Sequence, residues 1–185
     1  MLNNLNCKIY DGKTKQDTAL LFLCKECAKF LQDDFLAKDG QKVLRAFLTQ
    51  EQDFFKIGTI TKLTYMDGKE LKKILVAGCG EGKECSPTNF KKVAGSVART
   101  LKEIHAQNVL VAAPIIMKGK NAHYLDAILQ GIFLGAYNFD EFKSDRKKPE
   151  TINLFFQTKV DKAKDVFEIN YNFSGTIIKT LTVSG

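Results

Sequence analysis

One segment near the middle of the chain constrains the fold more than any other. Residues Ile74–Ala77 are continuously apolar, which is typical of a strand buried on both faces of a sheet. Ser86 and Pro87 then supply a helix N-cap and a first helical residue, and a second apolar run, Val109–Ala113, ends at Pro114. Between the two runs, apolar residues recur at helical spacing: Phe90, Val93, Ala94, Val97, Ala98, Leu101 and Ile104. Strand, helix and strand in succession predict a βαβ unit, and hence an α/β fold.

The segments before this unit are predicted as two strands and a helix. Ala19–Leu23 is an apolar strand candidate, and a helical stretch follows from about Ala28 to Phe47, broken near Asp39-Gly40. Ile57–Tyr65 alternates between apolar and polar residues, as a strand with one buried face does. Asp67-Gly68 lies at the centre of the next turn, so we expect a β-hairpin into the apolar strand that follows.

After the βαβ unit, the pattern adds one helix and one strand. An amphipathic helix is predicted from about Ala122 to Ala136, and a strand over Thr151–Phe156. The segment after Lys159 has a weak helical pattern. Because no internal repeat and no Gly/Ser-rich linker divides the chain, we predict one three-layer α/β/α fold around a mixed central sheet.

Composition narrows the class of protein. Of 185 residues, 44% are hydrophobic and 26% are charged, which is typical of a globular chain and not of a disordered one. No apolar run approaches the ~20 residues that span a membrane, and residues 1–6 lack the basic flank and apolar core of a signal peptide. The expected compartment is the cytoplasm, where the five cysteines should be thiols.

The chain is basic, with 28 Lys and Arg against 21 Asp and Glu and a net charge of +7. A groove for nucleic acid requires such charges to be clustered, but here the lysines are spread over different predicted elements, which favours a solvated surface. Examples are Lys13, Lys15, Lys62, Lys91, Lys92, Lys118 and Lys120. We therefore do not expect nucleic acid as a partner.

The glycine-rich loop over residues 78–82 lies between a strand and a helix, where phosphates bind in many folds. Its third glycine comes one residue early for the dinucleotide pattern G-x-G-x-x-G, and no acidic residue ends the strand Val109–Ala113. A P-loop requires Ser or Thr after Gly82-Lys83, but Glu84 follows. A tight turn with positive φ is the preferred interpretation.

The segment Cys24-Lys25-Glu26-Cys27 has the C-x-x-C spacing of a thioredoxin-type site, placed after a predicted strand and at the start of a predicted helix. The chain contains no tryptophan to flank such a site, and Lys-Glu is an unusual dipeptide between the two cysteines. A zinc site would need two further ligands, and Cys79 and Cys85 are separated by five residues, a looser spacing than zinc sites usually have.

Other reactive side chains have simpler interpretations. His105 is predicted at the end of the long helix and His123 at the start of the next one, and neither has an Asp or Glu at metal-ligand spacing. Both are predicted to be surface residues. Ser86 is explained by helix capping, since no G-x-S-x-G motif surrounds it.

Three stretches of the chain resemble the N-terminal domain of the leucyl (cytosol-type) aminopeptidase family. Lys73–Gly80 looks like the family's apolar strand with its V-G-L-G-type turn, and Phe90–Lys102 is similar to the family's Ala-rich helix, again followed by a V-x-V-x-x-P strand. Gly131–Ser144 looks like the signature G-x-x-L-G-x-Y-x-F-D-x-Y-K-S. The resemblance covers roughly residues 5–165.

The resemblance implies a macro-domain-like fold for residues 1–160, and a helical linker over 161–185 that leads to a C-terminal catalytic domain of the same protein. In the family, that domain holds two divalent metals (Mn or Zn) around the motifs F-D-S-G-G and N-T-D-A-E-G-R, and metal-bound hydroxide attacks the peptide bond. Neither motif occurs here, so no catalytic, metal or cofactor-binding residue is predicted, and this segment is expected to be non-catalytic. The family's linker closes on A-R-D-L, whereas Ile178–Leu181 is found here.

The resemblance also implies partners. Family members form hexamers of two trimers, so the expected role is to support oligomer assembly in a cytoplasmic enzyme that removes N-terminal residues from peptides. One alternative follows from the macro-like fold: residues 78–82 would bind ADP-ribose or a nucleotide. A second alternative is a thiol oxidoreductase acting through Cys24 and Cys27.

Overall fold

The computed structural model describes residues 5–31, 33–112, 121–136 and 151–157. In these ranges a six-stranded sheet has the order β1-β6-β5-β2-β4-β3 and is accompanied by α-helices α1 to α3. The elements are β1 (Leu5–Ile9), β2 (Thr18–Leu23), α1 (Lys38–Gln50), β3 (Ile60–Asp67), β4 (Glu70–Gly78), α2 (Pro87–Glu103), β5 (Asn108–Ala112), α3 (Asn121–Ala136) and β6 (Ile152–Gln157). The predicted linker over 161–185 lies outside the described residues.

The sheet is mixed, as the sequence predicts. Neighbouring strands pair in parallel from β1 through β6, β5 and β2 to β4. The edge strand β3 pairs antiparallel with β4, through the predicted hairpin whose turn contains Gly68. No helix in the described ranges is both long and apolar enough to cross a membrane.

The central strand β2 is buried on both faces because the pleat directs successive side chains to opposite sides. Leu20 and Phe22 belong to the core beneath α2 and α3, whereas Leu21 and Leu23 belong to the core beneath α1. Strand β4 alternates in the same way. Helices therefore cover both faces, and the predicted three-layer α/β/α class is confirmed.

Helices α2 and α3 approach each other closely because glycines lie between them. A Cβ atom added at Gly131 would be 2.2 Å from the carbonyl oxygen of Lys91, and one added at Gly135 would be 2.2 Å from that of Gly95. Real Cβ atoms do not make such contacts. The spacing of four residues between Gly131 and Gly135 puts both on one face of α3. This part of the predicted signature thus serves helix packing.

The predicted helix over 28–47 is wrong in its first half. The chain forms a short 3₁₀ turn at Cys27–Phe30, and α1 begins only at Lys38. In the connecting segment the consecutive residues Phe35 and Leu36 both pack into the core beneath α1. Consecutive residues of an α-helix point about 100° apart, so tertiary packing overrides helix propensity here.

The expected break at Asp39-Gly40 is also wrong, because both residues belong to the first turn of α1. The glycine has a packing role instead. A Cβ atom at Gly40 would lie 2.7 Å from Cζ of Tyr65 on β3. In the sequence, the glycine suggested that the helix is broken at this point. In the structure, it allows the helix to lie close to the sheet.

Strand β1 was not predicted. Its residues, Leu5–Ile9, hold only two fully buried side chains, Leu5 and Cys7. The strand pairs with β6 alone, at the edge of the sheet. Two buried residues near a chain end are weak evidence for a strand when the strand that pairs with them is not known.

The carboxylate of Asp17 links the amino ends of the strands β2 and β5. Its Oδ2 atom accepts hydrogen bonds from the backbone N–H groups of Gln107 (3.1 Å) and Asn108 (2.6 Å), and Oδ1 accepts from the Thr18 hydroxyl (2.6 Å). The Asp17 carbonyl also accepts from the N–H of Lys73 on β4 (3.0 Å). The side chain therefore ties β2 to the turn before β5.

We expect Asp17→Ala to lower the free energy of unfolding by about 2 kcal/mol, because two backbone donors lose a charged acceptor. Asp53→Ala is the matched control, since the Asp53 carboxylate is exposed and pairs with Lys56 at the surface; its expected cost is below about 0.5 kcal/mol. Urea unfolding followed by circular dichroism measures both. Equal costs for the two variants would contradict the role of Asp17.

Candidate functional site

Two loops meet where the parallel strands β2 and β4 end. The register pairs Leu23 with Gly78, so the segments that follow these residues leave the same edge of the sheet side by side. The N–H of Cys79 donates to the carbonyl of Leu23 (2.8 Å), and the N–H of Lys25 donates to the carbonyl of Gly80 (3.2 Å). We call these segments the first loop (residues 24–27) and the second loop (residues 79–85).

The two loops bring cysteines together. The Sγ atoms of Cys24, Cys27 and Cys85 all lie within 4.8 Å of one another. Cys24 and Cys27 form a disulfide, so the expectation that every cysteine is a thiol is wrong for this pair. Their Cα atoms are 5.0 Å apart, within the range that a disulfide bridges.

The place of Cys85 in this cluster is not predicted from the sequence. Its spacing from Cys79 along the chain gives no indication of it, because the contact depends on β2 and β4 being neighbours. Both loops follow apolar strands of the same kind, and the ends of parallel strands meet at one edge of the sheet. The position of each loop directly after a buried apolar strand was therefore the one sequence signal that could have placed Cys85 near Cys24 and Cys27.

Burial controls the remaining thiols of the site. It raises the pKa of Cys85 to about 11, with a smaller contribution from the charge of Glu26. Burial also raises the pKa of Cys79, assisted by the nearby Cys85. A nucleophilic thiol needs the opposite shift. Cys24 and Cys27 are in addition 0% and 5% exposed, so this geometry does not favour the thiol oxidoreductase.

The glycines of the 78–82 loop have steric roles. Gly80 and Gly82 have φ values of 95° and 52°, so the preferred interpretation of a turn with positive φ is confirmed. Gly78 is needed for close approach, since a Cβ atom there would lie 2.2 Å from the carbonyl oxygen of Lys56. Neither role involves a ligand.

Every backbone N–H of residues 78–82 donates to an acceptor within the protein. In order, the acceptors are the carbonyl oxygens of Thr59, Leu23 and Phe55 and the carboxylates of Glu84 and Glu26. A phosphate cradle needs free N–H donors. A phosphate bound here would have to displace the carboxylates of Glu84 and Glu26 from the N–H groups of Glu81 and Gly82. The loop geometry therefore does not favour the ADP-ribose alternative.

Ser86 and the two histidines lie where the sequence predicts them. Ser86 is the N-cap of α2, and its hydroxyl accepts from the N–H of Asn89 (3.4 Å). His105 follows α2 with a φ of 51°, and His123 lies in the first turn of α3. Both histidines are exposed.

The described part of the chain offers little acid–base chemistry. Its only fully buried polar side chain is Thr18, and its only group of three or more His, Cys, Asp or Glu close enough to share an ion is the cysteine cluster. Carboxylates such as Asp33 and Glu81 are instead paired with cations at the surface. Two metals held by carboxylates do not fit these residues.

Comparison with known proteins identifies the family. A sequence profile for the N-terminal domain of the cytosol aminopeptidase family matches residues 22–146. A probable cytosol aminopeptidase from Chlorobaculum tepidum is 33% identical over 152 residues, which are 76% of this chain and 29% of that protein. The cytosol aminopeptidase of Pseudomonas aeruginosa is 28% identical over 96 residues, 51% of this chain and 19% of that protein. The chain thus spans less than a third of the length of these relatives.

Solved structures agree on the fold. Tomato leucine aminopeptidase, in a mutant form, superposes with a TM-score of 0.62 at 19% identity, covering 93% of this chain and 35% of that one. The bottromycin maturation enzyme BotP in complex with Mn superposes with a TM-score of 0.54 at 15% identity, covering 84% and 29%. At these identities the likeness shows the fold alone.

The family predicted from three sequence stretches is therefore confirmed by an independent profile. The match covers more than half of the 185 residues, from Phe22 in β2 through the whole βαβ unit and α3. The chain belongs to the cytosol aminopeptidase family, and its residues 22–146 match the N-terminal domain of that family.

Proposed function

We propose that this chain acts as the non-catalytic N-terminal domain of a metal-dependent leucyl-type aminopeptidase, whose separate C-terminal domain removes N-terminal residues from peptides. The observation that carries the proposal is the profile match over residues 22–146 to an N-terminal domain. Relatives that are named cytosol aminopeptidases continue far beyond the matched region, since the match covers 29% of the Chlorobaculum tepidum protein.

The chemistry of the described residues supports a non-catalytic role. The mobile proton carriers of a hydrolase are usually His, Asp or Glu held in a cleft, yet His105 and His123 are exposed. The parent enzyme would hold two divalent cations, Mn or Zn, in the catalytic domain. One solved neighbour, the bottromycin maturation enzyme BotP, is a complex with Mn, and we propose no ligand to such a cation among the residues of this chain.

The domain would contribute to oligomer assembly in a cytoplasmic homohexamer. Strand β3 is an edge of the sheet, and its register pairs Met66 with Leu71 near the hairpin turn. These two side chains are 50% and 59% exposed. Met66 is on the edge strand and Leu71 on its hairpin partner β4, and adjacent exposed apolar side chains of this kind favour contact with another protein surface.

The proposed division of the chain follows the same family. Residues 1–160 would form the macro-like domain, and residues 161–185 would form a helical linker toward the catalytic domain. The last described strand, β6, ends at Gln157 and lies inside the sheet between β1 and β5. A boundary just after it leaves the sheet intact.

A peptidase assay tests the non-catalytic role. The 185-residue chain is expected to release no chromophore from leucine p-nitroanilide with Mn²⁺ or Zn²⁺, because its described part brings no carboxylates together in a group that could share an ion. The full-length Pseudomonas aeruginosa cytosol aminopeptidase, assayed in the same buffer, serves as the positive control. Turnover that grows with the concentration of this chain and disappears with a chelator would refute the proposal.

A further inference from the structure

The fold brings together three cysteines that have no part in the proposed function. We propose that Cys24, Cys27 and Cys85 bind one thiophilic divalent cation, with Zn²⁺ as the preferred ion, once the Cys24–Cys27 disulfide is reduced. The ligands would be the sulfur atoms of these three cysteines. Such a site goes beyond the proposed function and does not depend on it.

The distances suit a metal ion. All three Sγ atoms lie within 4.8 Å of one another. In a tetrahedral site with Zn–S bonds of about 2.3 Å, neighbouring sulfur atoms are about 3.8 Å apart. The Sγ atoms of Cys24 and Cys27 are bonded to each other in the disulfide, and once this bond is reduced, rotations about the side-chain bonds allow the two atoms to separate to ligand spacing. C-x-x-C is also the spacing of many zinc ligand pairs, and Cys85 adds a third sulfur from the second loop.

The loops that carry the ligands are held together independently of the metal. The backbone N–H of Lys25 donates to the carbonyl of Gly80 (3.2 Å), and the N–H of Gly82 donates to the carboxylate of Glu26 (2.9 Å). The Lys25 ammonium pairs with Glu81 across the same gap, with an Nζ–Oε2 distance of 2.5 Å. A site whose supporting loops are already in place loses little entropy when the ion binds.

Further hydrogen bonds orient the ligands. The N–H of Cys27 donates to Sγ of Cys24 at 3.2 Å, a contact that stabilises a thiolate ligand. The Tyr124 hydroxyl of α3 donates to the carbonyl of Cys85 at 2.8 Å and holds that residue against the helix. Cys85 is also partly exposed, which gives an ion access from solvent.

The donor set selects the class of ion. Three sulfur ligands favour soft or borderline cations and disfavour Mg²⁺, Ca²⁺ and Mn²⁺, which prefer oxygen. With three protein ligands, a tetrahedral Zn²⁺ retains a fourth position for a water molecule.

Loading requires a reductant. A dithiol transfers two electrons to the Cys24–Cys27 bond, which breaks to give two thiols, and the dithiol leaves as a cyclic disulfide. The two protons on the new thiols come from the dithiol. Zn²⁺ then replaces the protons of three thiols, and up to three protons pass to the solvent. Oxidation would remove two ligands and release the ion.

The test measures Zn²⁺ on the complete 185-residue chain. The protein is reduced with a dithiol, desalted without oxygen and titrated with Zn²⁺ against a chromogenic chelator, while Co²⁺ is used in parallel as a spectroscopic probe. Reduced protein is expected to bind about one Zn²⁺ per chain and to give the sulfur-to-cobalt charge-transfer absorption of a tetrahedral thiolate site. The oxidised protein is expected to bind none. Reduced protein that binds no Zn²⁺ would overturn the proposal.

Single variants distinguish this cluster from incidental thiol binding. Cys85→Ala is expected to weaken Zn²⁺ binding at least about 100-fold, since it removes a direct ligand. Cys7→Ala is the matched control, because Cys7 is buried on β1 and is outside the cluster; its affinity should stay within about twofold of the wild type. Equal affinities for the two variants would also overturn the proposal.

A rescue variant guards against misfolding as the cause of lost binding. Cys85→His keeps a zinc ligand at the position and should recover at least about tenfold of the affinity lost in Cys85→Ala. Circular dichroism and thermal melts identify the variants that remain folded. A folded Cys85→His chain that binds no better than Cys85→Ala would exclude coordination at residue 85.

Discussion

Gly135→Ala should destabilise the domain by about 2 kcal/mol or more, whereas the same substitution at Gly95 should be neutral or stabilise it by up to about 1 kcal/mol. Both glycines lie in the interface between α2 and α3. A Cβ atom at Gly135 would lie 2.2 Å from the carbonyl oxygen of Gly95 and 2.6 Å from its Cα atom, so the helices would have to separate.

At Gly95 the surroundings are different. A Cβ atom there would lie 3.5 Å from the carbonyl oxygen of Gly131, which is an ordinary van der Waals contact. Alanine would therefore fit, and a helix interior is more stable with alanine than with glycine. Two substitutions of the same kind across one interface thus have opposite expected signs.

Chemical denaturation of Gly135→Ala, Gly95→Ala and the wild type measures the difference. The midpoints should move in opposite directions, or that of Gly95→Ala should not move at all, with similar slopes for all three proteins. Two substitutions that destabilise the protein equally would show that the helix interface does not depend on which glycine is replaced.

Leu125→Ala is expected to lower the free energy of unfolding by about 2–5 kcal/mol, a larger loss than that expected for Asp17→Ala. Leu125 is 1% exposed and lies in the core between the sheet and the pair of helices α2 and α3. Removing its side chain loses buried apolar surface and leaves a cavity.

Leu134→Ala is the matched control for this truncation. Leu134 lies in the same helix but is 63% exposed, so its truncation should change the unfolding free energy by less than about 0.5 kcal/mol. Thermal unfolding by calorimetry, with urea titration as a second probe, compares the two. A cost at Leu134 as large as that at Leu125 would show that the exposed face of α3 is covered by another part of the chain.

Secondary structure was predicted best from the sequence where the local residue pattern matches the burial of the element in the structure. The βαβ unit was visible because Ile74–Ala77 is apolar without interruption, and a strand buried on both faces needs that pattern. The start of α2 was visible because Ser86 and Pro87 determine a helix start through local geometry alone. Neither inference required knowledge of a distant residue.

The sequence failed where distant contacts decide. Gly40 indicated a helix break, but its neighbour is Tyr65 on β3, and the contact explains the glycine. Strand β1 was missed because its pairing with β6 joins residues near opposite ends of the described chain. Phe35 and Leu36 leave the helical pattern because both reach the core beneath α1.

The sequence by itself therefore determined the α/β class, the capped helix α2, the hairpin and the family to which the chain belongs. Only the tertiary structure decided which glycines allow α2 and α3 to touch, that the N–H groups of residues 78–82 are occupied, and that Cys85 joins Cys24 and Cys27. The physical reason is that capping and periodicity depend on neighbours in the chain. The cysteine cluster depends on β2 and β4 pairing in parallel, which brings together residues that the chain separates.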